Sequence, residues 1–291
     1  MLDESERADA GCEGTALSPE FTGGGDPARS VALLWRDRQR RPSRGRRPTL
    51  TVDAIVAAAI EMADQAGLGA LSMRALAERL TVGTMSLYTH VPGKAELLDL
   101  MLDTVLAETA RPDDGQEGWR ARLELVAREN RALFDRHPWI LELVAFRPPM
   151  GPGVIAKYDY ELRAIEGIGL TDVEMDSVLA LVLGYVQASA RQALEAKLVE
   201  QRTGLTDDEW WAAQAPLLEQ VIEADDFPVG SRVGTASSKE YQGLWDPDHT
   251  FEFGLARVLD GIEVLVEARR AGGSRARTAG SSRRTTRRRP Q

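Results

Sequence analysis

The chain has 291 residues, one cysteine and a formal net charge of −9 from 36 basic and 45 acidic residues. A lone Cys12 excludes an intrachain disulfide and any cysteine-based metal cluster, and the length supplies one large or two modest domains with a buried core. The charge is uneven: residues 1–30 hold seven acids against two arginines, 35–47 seven arginines against one aspartate, and 269–291 nine arginines and no acid, which leaves 18 basic against 37 acidic residues over 48–268.

Residues 1–30, rich in Gly, Ser, Asp and Glu, read as disordered, with a brief apolar contact over 31–35. The arginine-rich arm follows. Pro42, Gly45 and Pro48 keep it extended, so that Arg44, Arg46 and Arg47 suit insertion into a DNA minor groove. Residues 51–66 predict a helix with Ile55, Ala59, Met62 and Ala63 on one stripe and Gly67 at its C-terminal cap. The stretch 71–94, LSMRALAERLTVGTMSLYTHVPGK, then reads as a helix-turn-helix. Ser72 caps a first helix whose inner face is Met73, Leu76, Ala77 and Leu80, and small Ala77 lets the second helix approach closely. Thr81, Val82 and Gly83 break the pattern. A second helix over 84–90 turns Leu87 inward and leaves Thr84, Met85, Ser86, Tyr88 and His90 to face DNA. Val91 to Lys94 is a turn, and residues 95–110 predict a helix with Leu97, Leu98, Met101, Leu102 and Val105 inside. Lys94 opens that helix, where free N–H groups favour a phosphate.

Residues 111–115, Arg-Pro-Asp-Asp-Gly, mark a hinge. Beyond it the reading stays helical: a stripe of Trp119, Leu123, Val126, Leu133 and Phe134; a short helix from Pro138 carrying Trp139, Leu143 and Phe146; and residues 154–168 with Tyr158, Leu162 and Ile165 inward. Capping boxes at Thr171/Glu174 and Thr206/Glu209 open a long helix to about residue 202 and a further helix with Trp210, Trp211, Leu217 and Val221. Residues 225–247 read as a loop. The last helix, 248–270, has Phe251, Leu255, Val258, Leu259, Ile262 and Leu265 on its apolar side, and 271–291 reads as a disordered basic tail. There is no β-alternation and no internal repeat. The longest apolar run, 178–186, is too short to span a bilayer, and no signal segment is visible, so a cytoplasmic protein with no membrane partner is expected.

His90, His137 and His249 are widely separated, and there is no phosphate loop, metal-ligand spacing or nucleophile elbow, so no enzyme, cofactor or metal is expected. Residues 48–108, through LSMRALAERL and SLYTHVPGKAELLD, resemble the tetracycline-repressor-like transcriptional regulators. Residues 171–202 and 251–265 are similar to the ligand and dimerisation helices of the branch nearest the tetracycline repressor. The resemblance implies an all-α protein: a disordered extension with its arm (1–47), a three-helix DNA-binding domain (48–110), a larger ligand-binding and dimerisation domain (116–270) and a basic tail (271–291). It implies a homodimer that binds a palindromic double-stranded DNA operator, associates with the nucleoid when bound, and leaves when a small apolar or aromatic effector binds. By residue match Arg74, Thr84, Ser86, Tyr88, His90 and Lys94 fall where such proteins touch DNA. In the second domain Phe134, Trp139, Leu143, Phe146, Arg147, Tyr158, Tyr185, Gln187 and Trp210 are the candidates for an effector pocket.

Two positions depart from the family pattern. Thr81 stands where glycine is common, and Leu143 stands in the segment where the tetracycline repressor carries a magnesium-binding histidine, which argues against a metal–tetracycline ligand. The alternative function is an architectural DNA-binding protein that senses nothing. Charged replacements of Leu255 and Ile262 are expected to give monomers.

Overall fold

The computed structural model describes residues 20, 22–36, 50–109, 118–143, 147–218, 220–222, 226–241 and 245–284, with 272–284 as backbone only. Arg44, Arg46, Arg47, Phe146 and the hinge at 111–115 lie outside the described residues. Those described are helical without strands: α1 (Pro27–Leu34), α2 (Val52–Ala66), α3 (Met73–Arg79), α4 (Thr84–His90), α5 (Lys94–Leu106), α6 (Trp119–Arg136), α7 (Pro152–Arg163), α8 (Asp172–Thr203), α9 (Asp207–Leu218), α10 (Pro228–Tyr241) and α11 (Pro247–Arg284). Short 3-10 turns occupy Leu68–Ala70 and Pro138–Glu142.

Two cores organise these helices. The first holds Ile55, Ala59, Leu76, Ala77, Leu87, Leu97 and Met101 from α2 to α5, and reaches across to Leu133, Trp139, Ile140 and Leu143. Each fully buried Leu or Ile contributes about 1.5–3 kcal/mol, which outweighs the low intrinsic stability of seven-residue helices such as α3 and α4. Local caps finish the job: Thr51 Oγ1 accepts from Ala54 N–H at 3.1 Å and Ser72 Oγ from Ala75 N–H at 3.1 Å. The second core joins α6, α7, α8 and α11 through Leu123, Val126, Ile165, Val182, Val186, Leu255 and Leu259. Phe134 packs against both.

Thr81 adopts φ 56°, the left-handed conformation that its position in the turn demands. For a β-branched side chain this costs about 1–2 kcal/mol, part of which glycine would return through its looser unfolded state. Thr81→Gly is therefore expected to stabilise the protein by about 0.5–1 kcal/mol, seen as a higher urea midpoint at unchanged slope. An unchanged midpoint would mean the turn holds threonine without strain.

Several expectations are corrected. Residues 22–36 are ordered, with α1 docked on α5 and Leu34 only 5% exposed. Residues 228–241 form α10 where a loop was expected; its proline at the first position starts a helix that glycines and serines disguise. The backbone of α11 continues to Arg284, because extending an existing helix adds one hydrogen bond per residue. The buried face of α7 is Gly153, Lys157 and Glu161, continued by Ala164 and Ile165, so Tyr158 points outward. Leu255 and Ile262 are 2% and 3% exposed within the second core, so charging them would unfold the domain and not merely separate protomers. An 18-residue window in α8 reaches mean hydropathy 1.2, long and apolar enough by composition to cross a bilayer, but its Val178, Leu179, Val182 and Val186 are core residues here.

Candidate nucleic-acid interface

The core fixes which side of α4 faces out. Leu87 is fully buried, so the residues around it on the helical wheel must turn to solvent: Met85 is 78% and Tyr88 42% exposed, Ser86 is exposed, and Thr84 and His90 are half-buried. Val82 N–H donates to the Ala77 carbonyl at 3.0 Å, which draws the turn tightly onto α3 beside that small side chain. Arg74 projects from α3 in a solvent-exposed pair with Glu78 at 3.0 Å. Such a pair is worth about 0–1 kcal/mol and gives way readily to a phosphate or a base edge. Arg79 pairs with Glu61 of α2 at 2.7 Å. Lys94, the first residue of α5, is paired with Glu20 at 2.6 Å.

The opposite face of α5 carries three buried acids, Glu96, Asp99 and Asp103. Burial pushes Asp99 and Asp103 above the usual carboxylate range, opposed by N–H donors from Gly23 to Asp99 and from Val154 to Asp103. These acids face α1, the residues just before it and the start of α7.

A polar joint links this block to the second domain. His137, at the end of α6, lies between Asp64 of α2 (Nδ1–Oδ1 2.8 Å) and Glu108 after α5 (Nε2–Oε2 3.0 Å), and Trp139 Nε1 donates to the same Asp64 oxygen at 2.8 Å. These contacts tie the C-terminal end of α6 to α2 and to Glu108 just past the end of α5. Sequence reading treated His137 only as an isolated histidine; no local spacing connects positions 64, 108 and 137.

Among the described residues the effector candidates are spread over both cores and the surface. Trp139 and Leu143 are buried in the first core, Phe134 touches both cores, and Tyr185 stacks on Phe251 in the second at 6.1 Å between centroids. Arg147 and Gln187 are exposed, Tyr158 is 45% exposed and bonded to Asp176, and Trp210 is 43% exposed on α9. The Tyr185 hydroxyl donates between the carbonyls of Thr250 and Phe251, at 2.8 and 2.9 Å, and would collide with any side chain at Gly254. The reading also missed a buried polar cluster. Glu161 accepts from Asn130 Nδ2 at 2.6 Å and pairs with Lys157, with Glu161 2% and Lys157 7% exposed.

The exposed sides of α8 and α11 form a second surface. Val173, Ser177, Leu181 and Gly184 line one helix, and Phe253, Arg257, Gly261 and Val264 the other, at successive steps of three or four residues. Between them runs an apolar groove of about 500 Å³ lined by Val178, Leu181, Val258, Gly261 and Leu265.

Comparison with known proteins agrees with this architecture. The model for the C-terminal domain of tetracyclin repressor-like proteins matches residues 111–266, and that for bacterial regulatory proteins of the tetR family matches residues 55–101. The chain is 50% identical over 267 residues, 91% of its own length and 96% of the relative's, to the HTH-type transcriptional repressor DrrR1 of Streptomyces coeruleorubidus. It is 36% identical over 175 residues, 60% of this chain and 72% of the relative, to an HTH-type transcriptional regulator of Saccharopolyspora erythraea. Streptomyces coelicolor ActR in complex with actinorhodin superposes with a TM-score of 0.62 at 28% identity, covering 75% of this chain and 99% of ActR. Apo ActR gives 0.61 at 27% identity, covering 77% and 99%. With a helix-turn-helix built on Leu76, Ala77 and Leu87 and a larger helical domain behind it, the chain belongs to the TetR family of bacterial transcriptional regulators.

Proposed function

We propose that the protein is a repressor that binds a palindromic operator as a homodimer and is released by a small apolar or aromatic effector. The outward row of Thr84, Met85, Ser86 and Tyr88 around a fully buried Leu87 carries this reading. Thr84, Met85 and Ser86 reach base edges or a thymine methyl; Tyr88, His90 and Lys94 contact phosphates; Arg74 takes a guanine edge or a phosphate. Residues 48–110 are the DNA-binding domain and 116–270 the effector and dimerisation domain, with the arm at Arg44, Arg46 and Arg47 supplying positive charge that the acidic body lacks. Repression has its support in the name of the 50%-identical relative, and effector binding in ActR, whose structures hold actinorhodin and (S)-DNPA. The effector lodges near Phe134, where the two cores meet, and its signal leaves through the joint at His137.

Fluorescence anisotropy on DNA from the protein's own promoter region tests this. Binding at low salt, with displacement by an aromatic probe such as actinorhodin, is the expected result. Lys94→Ala is expected to weaken all sequences alike and to flatten the dependence of log K on log salt by about one unit. Sequence-independent binding that no aromatic probe affects would instead identify an architectural protein.

A further inference from the structure

Residue 20 and residues 22–36 are not a solvated leader. Gly23 N–H donates to Asp99 at 2.9 Å, Ser30 Oγ to Asp99 at 3.2 Å, Thr22 Oγ1 to the Arg147 carbonyl at 2.9 Å and Trp35 Nε1 to the Met150 carbonyl at 2.8 Å. Arg36 pairs with Asp53 of α2. The fit is close: Gly23 has φ +70°, and a Cβ at residue 25 would stand 2.5 Å from the Glu96 carboxylate. The segment thus straps α5 to the loop that precedes α7. At its start Glu20 Oε1 lies 2.6 Å from Lys94 Nζ, the cation that opens α5.

We infer that Glu20 and residues 22–36 form an intramolecular strap that competes with DNA for Lys94, with the Glu20 carboxylate holding the ammonium in place of a phosphate. The inference rests on the reading of Lys94 as a phosphate contact. A carboxylate and a phosphate oxygen seek the same donors, so operator binding has to break this pair before Lys94 serves the backbone. Asp26, exposed on the same strap, adds a second negative charge that repels an approaching phosphate while the strap stays docked. The rest of the strap acts as the tether. Its bonds to Asp99, Arg147 and Met150 keep Glu20 at a high local concentration beside Lys94.

Glu20→Gln removes the charge from a partly exposed side chain and leaves the fold alone. It is expected to tighten operator binding about two- to fivefold at low salt, the range of a partly exposed ion pair, and to steepen the salt slope by up to about one unit. In a Lys94→Ala background the same substitution is expected to change nothing. Gly25→Val reaches the same state by another route: the strap is displaced from Glu96, affinity rises as in Glu20→Gln, and amide exchange at residues 30–34 quickens. The strap is overturned if Glu20→Gln leaves affinity and slope unchanged while Lys94→Ala lowers both, or if the gain persists without Lys94. If Lys94→Ala has no effect on a wild-type protein that binds its operator, the phosphate reading fails, and the competition with it.

Discussion

Lys157→Met is expected to lower the stability of the second domain by about 3–5 kcal/mol, because Glu161 would lose its cation at 2% exposure and keep the Asn130 amide as its partner. Glu161→Leu is expected to cost as much by stranding the ammonium of Lys157. The double variant Lys157→Met/Glu161→Leu should recover most of the loss, since two apolar side chains of similar volume leave no charge to desolvate and Asn130 Nδ2 retains the Val126 carbonyl at 2.9 Å. Urea denaturation followed by helical circular dichroism measures all three. Single variants as stable as wild type would show that water reaches the pair.

Leu181→Asp combined with Val264→Asp is expected to convert a dimer into folded monomers, because the two side chains are 54% and 67% exposed on the stripes that α8 and α11 leave uncovered. The loss of the second reading head should cost operator affinity about 10²–10⁴-fold, the usual contribution of a linked second site. Light scattering and thermal melting separate this from unfolding. Leu255→Asp, by contrast, should melt the domain, since that side chain is 2% exposed in the second core. A dimer that survives Leu181→Asp/Val264→Asp at micromolar concentration would move the interface elsewhere, with the exposed tryptophans of α9 the next surface to test.

The reading head was legible because its determinants are local. Leu76, Ala77 and Leu87 lie within a dozen residues, and the break at Thr81 to Gly83 between them leaves few other packings. The face of α7 was not. Lys157 and Glu161 have the i,i+4 spacing of an ordinary surface pair, and only Asn130, 31 residues away, shows that the pair is inside. Tyr158 and Leu162 offered the more apolar stripe, and tertiary packing overrode it. The docking of α1 was equally hidden, since an acidic, glycine-rich segment earns its order from Asp99 and Arg147, distant in sequence. The effector site was least legible of all: aromatic side chains fill cores and line pockets alike, and Trp139 and Leu143 proved to belong to the core of the other domain.

The contact between Tyr185 and Gly254 fixes how α8 meets α11. The phenol sits where a methyl group would otherwise be, with its hydroxyl set on two carbonyls of the first turn of α11, so α8 and α11 have one permitted register and a slip of one turn, about 5.4 Å, loses both bonds and the fit. In a dimer built on the same two helices, that register sets the span between the two copies of α4, which must match half-sites about 34 Å apart on the duplex. In such a dimer a single ring in the second core would act as the calliper stop for a length measured in base pairs.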